Sequence, residues 1–398
     1  MITPSFSLTA TERVLPRLAL DFTTASLDSR ITFTRAGNTA TVINSSGLVA
    51  GVNADIPRFD YDPISLVCKG LLIEESRTNV VLQSGSVTDP SGWSSAQVGT
   101  ATITPTLNYT TSPDGANTAS RVIFNNNGGT GTGNYAFFYA PSTGRTIGTS
   151  YADSIWLKTN DGSTVTLSAR DDIGNRYNQL ITVTPVWTRF SFAGVTTSTS
   201  PQTCKIWIRS GVGTSTYADI SAWGGQSETG AFATSYIPTV ASQVTRTADL
   251  ATMTGTNFSD WYNASEGTLV GEYTTMAAVP SSRYGYAVSD NTTSNFIGQR
   301  QDSARVVVSG STEVAVNSAT NSPNTTFKSV IAYKLNDFAA NANNVLLYTD
   351  SAGAVPTVSQ LMFGDLETST NRRINCWMRK FNFYNQRLTN AEVSAFSK

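Results

Sequence analysis

Short runs in which apolar and polar residues trade places at every second position, each cut off by Gly, Asn, Asp or Ser, recur along almost the whole 398-residue chain. Alternation of period two lines one face of a strand with apolar side chains, whereas an amphipathic helix needs a period near 3.6. "SRVIF" (Ser120 to Phe124), "STVTLSA" (Ser163 to Ala169), "TRFSFAGV" (Thr188 to Val195) and "KIWIRS" (Lys205 to Ser210) carry the pattern, with "NNNGGTGTGN", "NDGS" and "DDIGNR" as turns. Charged residues make up only 14 % of the chain. Ser, Thr and Asn take their place, which suits twisted antiparallel sheets better than helical bundles.

The chain is therefore expected to be all-β and to fall into modules: a small N-terminal β adaptor over residues 1–79, a β-sandwich over 80–246, and a further β module over 247–398. Trp156, Phe190, Ile206 and Ile208 are the expected core of the sandwich. One helix closes the chain. In "LTNAEVSAF", Thr389 as N-cap and Glu392 three residues on form a capping box, with Val393 and Phe396 facing inward.

Histidine is absent, which removes the imidazole base of Ser/His/Asp and Cys/His chemistry and the commonest transition-metal ligand. Cys68, Cys204 and Cys376 lie far apart with no CxxC pair, so they are expected to be reduced and buried. A formal net charge of −1 without a basic run argues against nucleic acid as partner. No stretch reaches the roughly 18 apolar residues of a membrane span, and the N-terminus lacks the pattern of a cleaved signal, so a soluble chain without membrane insertion is expected.

Three local texts carry a resemblance. "RFDYDPISLVCKGLLIEESRTN", with Arg58 to Asp62, Gly70 to Glu74 and Arg77 to Asn79, resembles a segment of bacteriophage tail-fibre, tail-spike and head-fibre proteins. "WGGQSETGAFATSYIPT" (Trp223 to Thr239) is similar to the end of the carbohydrate-binding-like jelly roll that follows it in such proteins. "GTLVGEY" with the distant "FNFYNQRLTNAEVSAF" resembles a concanavalin-A-like (laminin-G-like) sandwich. The resemblance implies an adaptor joining other virion proteins, of tail or capsid, through the N-terminal region, then a jelly roll and a concanavalin-A-like domain. It implies a homotrimeric virion structural protein, assembled in the host cytoplasm, whose partner is a host surface polysaccharide. A head fibre or capsid decoration protein and a polysaccharide-degrading tailspike are the alternatives. In the second text, Gly224, Gly225 and Gly230 are read as freeing the backbone of an exit strap, pinned by Phe232, Tyr236 and Ile237.

Non-catalytic sugar binding needs aromatic faces and a few polar groups. The candidates are Tyr135 in "GNYAFFY", Asp172, Asn175, Arg176 and Tyr177 in "DDIGNRY", and Arg283, Tyr284 and Tyr286 in "SRYGY". Trp93 after "DPSG" and Trp261 in "SDWYN" are candidate exposed platforms. Turn formation or packing is the competing role for each. Trp156 and Trp207 are assigned to the core. Asp171–Asp172 and Glu74–Glu75 are adjacent carboxylates, which point to opposite faces of a strand and do not flank one glycosidic bond. No catalytic residue and no cofactor is expected. Oxygen-rich loops at Asn160 to Ser163 and Asp337 to Asn344 are compatible with structural calcium, but neither has the spacing of a calcium-binding EF-hand loop.

Overall fold

The computed structural model describes residues 14–142, 145–171, 177–199, 202–277, 282–317, 322–368 and 372–398. These form antiparallel strands with little helix: one 3₁₀ turn, Phe22–Thr24, the four-residue Thr256–Ser259, and the C-terminal Asn390–Phe396. The predicted capping box is present at that last helix, where Thr389 and Glu392 satisfy each other's backbone. Val393 is buried, while Phe396 is 39 % exposed and stacks on Tyr384, so it covers the core edge without entering it. The chain divides into two compact units, Phe33–Leu250 and the C-terminal Ala251–Lys398 joined by the N-terminal stretch ending at Thr32.

The Phe33–Leu250 unit is built on two five-stranded sheets. One runs Thr188–Val195, Ser150–Thr159, Tyr217–Thr229, Ala119–Asn125, Thr102–Thr110. The other runs Asn178–Val183, Val165–Arg170, Gln202–Arg209, Tyr135–Pro141, Ser94–Val98. From Ala119 onward successive strands repeatedly change sheet, and the last strand inserts beside the first, which is the connectivity of a jelly roll. Both inner faces meet in one apolar core. Val122, Phe124, Ile155, Leu157 and Ile220 come from one sheet, and Phe138, Leu167, Ile181, Ile206 and Ile208 from the other. Phe190 packs against this core only partly buried.

Residues 33–79, read from the sequence as part of an adaptor, are packed with the jelly roll. The hairpin Ala40–Ile43/Val49–Val52 brings Val49 against Trp156, Trp223, Ala119 and Tyr236, so this part of the outer face of the first sheet is covered. Trp156 therefore sits outside the sandwich core, in this second apolar cluster. Its neighbours Ile155 and Leu157 take the opposite face of the strand, as alternation requires.

The two sequence segments that carry the resemblance meet here. Glu74, fully buried, accepts from Arg58 at 2.8 Å and Arg246 at 3.0 Å. Its carboxylate also takes the Ser235 N–H and hydroxyl, both at 2.7 Å. Asp249 pairs with Arg58 and with Arg35. Asn79, also fully buried, uses its whole side-chain amide: it donates to Gly225 and Ile237 carbonyls and accepts from the Val81 and Ser227 N–H groups. Burying such groups without partners would cost several kcal/mol each. The strap from Trp223 to Thr239 is thus fastened by a satisfied polar network. Gly224, at φ +68°, lies against Trp156, and a Cβ on Gly225 would stand 2.5 Å from Trp93.

In the other unit, one sheet orders Tyr348–Asp350, Phe338–Ala342, Thr326–Lys334, Glu266–Thr275 and Cys376–Tyr384. Leu18–Asp21 also pairs with the last of these, Leu18 opposite Phe383, so a strand expected in the adaptor belongs to this unit. The second sheet orders Leu250–Thr254, Gln360–Phe363, Tyr284–Ser289, Phe296–Arg300, Ser303–Val308 and Ser311–Asn317. Tyr286 and Phe363 of this sheet pack edge-on against Phe381 of the first, which closes the sandwich. All three cysteines are buried and reduced. No helix among the described residues is long and apolar enough to cross a membrane.

Candidate functional site

The outer face of the second jelly-roll sheet carries large side chains that alternation sends away from the core. On Tyr135–Pro141, the odd-numbered Tyr135, Phe137 and Tyr139 point outward while Ala136, Phe138 and Ala140 enter the core. On the neighbouring Gln202–Arg209, Lys205, Trp207 and Arg209 point outward while Cys204, Ile206 and Ile208 enter it. Register completes the face, since Phe137 stands opposite Trp207 and Tyr135 opposite Arg209.

The rings form a continuous ladder. Tyr135 lies 6.0 Å from Phe137 and 5.8 Å from Trp207, and Phe137 lies 5.7 Å from Tyr139. Each such pair contributes about 0.5–1.5 kcal/mol beyond its buried area. Three cations ring the indole of Trp207: the guanidinium carbons of Arg170 and Arg209 are each 5.3 Å from its centre and the Lys205 ammonium 5.1 Å. Lys205 also sits 3.8 Å from the centre of Phe137. These stems cover the rings, so Trp207 is only 5 % exposed although it lies outside the sandwich core.

Beside the ladder a cleft of about 220 Å³ opens between Ser168, Arg170, Asn178, Gln179, Leu180, Trp207, Arg209 and Val212. Leu180, half exposed, provides an apolar wall. Asn178 and Gln179 place amides at the rim, with both donor and acceptor capacity. Trp207 lines the cleft, and its buried Nε1–H has no acceptor among the described residues. An orphaned buried donor costs about 1–3 kcal/mol.

The predicted site residues divide sharply. Tyr135 lies on this face, as part of its ladder. Tyr177 is buried: its hydroxyl donates to Asp153 at 2.6 Å and its ring stacks on Phe192. Asp172, Asn175 and Arg176 lie outside the described residues. Trp93 is no exposed platform but a core residue, 3 % exposed, donating to the Gln83 carbonyl and packed edge-on against Phe138. Trp261 is likewise buried, between Phe258 and Phe383, donating to the Asn257 carbonyl. Tyr284 and Tyr286 are buried too, the latter with its hydroxyl bonded to Ser329 and its ionisation pushed up by burial. Arg283 is half-buried and donates to the Arg373 carbonyl. In each buried case the burial pays for itself because the ring finds apolar neighbours and, where needed, its polar tip finds a partner.

Trp207, Phe137, Tyr139, Arg170, Lys205 and Arg209 escape a search for aromatics in loops because they lie within strands. Their parity was the available signal: Lys205, Trp207 and Arg209 share one face, and a face bearing two cations is seldom the core face. The loop Asn160 to Ser163 closes on itself, Asp161 accepting from the Ser163 N–H and hydroxyl and Asn160 donating to Asp219. Among the described residues, no group of three or more Cys, Asp and Glu side chains gathers as a metal centre.

Neither a protein-family model nor a curated protein matches the chain. Some solved structures match part of the chain at low similarity. The NanB sialidase of Streptococcus pneumoniae matches at 13 % identity over 36 % of this chain and 26 % of its own, TM-score 0.30. Trypanosoma rangeli sialidase matches at 12 % over 37 % and 25 %, TM-score 0.27. Domain 4 of AbnA, a GH43 extracellular arabinanase of Geobacillus stearothermophilus in complex with arabinotriose, matches at 6 % over 38 % and 73 %, TM-score 0.30. The match thus spans about a quarter of the sialidases' length. Likeness at this level assigns no activity.

Proposed function

We propose that this chain is a non-catalytic structural protein of a bacteriophage virion, a tail fibre or spike, whose jelly roll recognises a glycan on the host surface. The observation that carries the recognition is the aromatic ladder, partly exposed at Tyr135 and Tyr139, beside a cleft lined by Trp207, Leu180, Asn178 and Gln179. Sugar rings present C–H faces that lie on aromatic surfaces and hydroxyls that bond to side-chain amides. On the opposite sheet the hairpin and strap cover the faces of Trp156 and Trp223. Hydrolysis by the usual pair of carboxyl groups finds no support at the cleft, whose lining includes no Asp or Glu. The virion assignment rests on the resemblance of Arg58–Asn79 and Trp223–Thr239. A trimer would multiply weak sites into useful avidity.

The test is adsorption. Purified full-length protein in excess should block attachment of the phage that encodes it, and Trp207→Ala with Tyr135→Ala should remove the block while the circular dichroism spectrum stays that of a folded β protein. Undiminished adsorption at saturating protein refutes the reading. A capsid location in micrographs together with silence on a glycan array points instead to a decoration protein.

A further inference from the structure

We infer that the cleft beside Trp207 takes an anionic saccharide, its carboxylate held between Arg170 and Arg209. This inference rests on the glycan reading above and narrows it to a class of sugar. Arg170, Lys205 and Arg209 all lie within 5.3 Å of the centre of one indole. Like charges gathered this closely repel one another, more strongly where low-dielectric walls exclude water. In the same unit Arg58 pairs with Glu74 and Asp249, Arg121 with Asp219, and Arg77 with Glu75, while Arg189, over the Trp156 ring, is held by the Thr234 carbonyl and the Ser154 hydroxyl. No Asp or Glu side chain among the described residues pairs with Arg170 or Arg209. The protein contacts of Arg209 are the Thr132 carbonyl, the rings of Tyr135 and Trp207, and a backbone bond to Thr214. Among the described residues the buried Arg170 Nε–H has no acceptor, and neither has the Trp207 Nε1–H.

The cleft is therefore lined by two arginines with no Asp or Glu beside them among its described lining residues. Guanidinium binds carboxylate through paired hydrogen bonds, and such charge-assisted bonds are about twice as strong as neutral ones. A uronic or other acidic sugar supplies the missing charge while its ring lies along Leu180 and Trp207, and Asn178 and Gln179 can meet its hydroxyls. A neutral sugar leaves the cations as they are.

The experiment measures binding of the full chain to polygalacturonate and alginate, and to the same polymers after carboxyl reduction, by isothermal calorimetry at low and high salt. Binding to the acidic polymers at least tenfold tighter than to the reduced ones, weakening with salt, supports the inference. Arg170→Gln and Arg209→Gln should each reduce that binding about tenfold to a hundredfold, with Arg209→Lys in between. Equal binding to acidic and reduced polymers, or full affinity in both glutamine variants, overturns the inference and leaves glycan recognition standing. Failure of every polymer to bind the folded protein overturns both.

Discussion

Replacing Glu74 with glutamine tests whether the buried polar junction holds the jelly-roll unit together. The Glu74 carboxylate accepts from Arg58 at 2.8 Å, Arg246 at 3.0 Å, and the Ser235 amide and hydroxyl at 2.7 Å each, with no exposure to water. In the variant, three guanidinium groups, Arg35, Arg58 and Arg246, surround Asp249 alone. Removing one partner of such a buried set costs about 3–5 kcal/mol, because the remaining charges stay desolvated. The ionisation of Glu74 leads to a similar figure. Burial raises the Glu74 carboxyl, but Arg246, Arg58 and the Ser235 bonds outweigh it and hold the group down at about 2, against an ordinary 4.5. A drop of that size corresponds to about 3 kcal/mol of stability. Since the folded value lies below the unfolded one, this stability is complete above about pH 4.5 and is lost as pH falls through about 2. Five of the seven tryptophans lie between Phe33 and Leu250, so urea unfolding followed by tryptophan fluorescence reports chiefly on this unit. Glu74→Gln should lose about 3–5 kcal/mol at pH 7, and the gap to wild type should narrow below pH 4.5. A loss under about 1 kcal/mol, or a gap unchanged from pH 7 to pH 2.5, would refute the reasoning.

Asn79→Ala removes four hydrogen bonds, three to the strap and one to Val81, and leaves two carbonyls and two N–H groups without that partner; about 3 kcal/mol should be lost in the same assay. Gly271→Ala puts a Cβ 2.0 Å from the Tyr286 ring, so the C-terminal unit should lose about 1–3 kcal/mol, read by calorimetry, with the Tyr286–Ser329 bond disturbed. Thr389→Ala deletes the capping box and should cost about 1 kcal/mol, with Thr389→Ser recovering most of it. The three thiols should resist a thiol-specific reagent in native protein and all react once urea unfolds the chain, which a timed colorimetric assay distinguishes.

Parity along a strand and the chemistry of turns and caps are local properties, so the sequence alone was enough for the all-β class, most strand positions in the sandwich and the box at Thr389. Parity sets Trp207 on the face opposite Ile206 and Ile208, yet the sequence reading assigned all three to the core, and the structure corrects it for Trp207. What parity cannot tell is which of the two faces is inside: Trp93 and Trp207 look alike as text, yet one is core and the other lies outside it. Tertiary packing decides that, by placing a hairpin over Trp156 and Trp223 but not over Trp207. It also joins Arg58, Glu74, Arg246 and Asp249, and pairs Leu18 with Phe383, across separations along the chain that no local pattern records. Burial and charge pairing are properties of neighbours in space, and for a chain of antiparallel sheets most of those neighbours are distant in sequence.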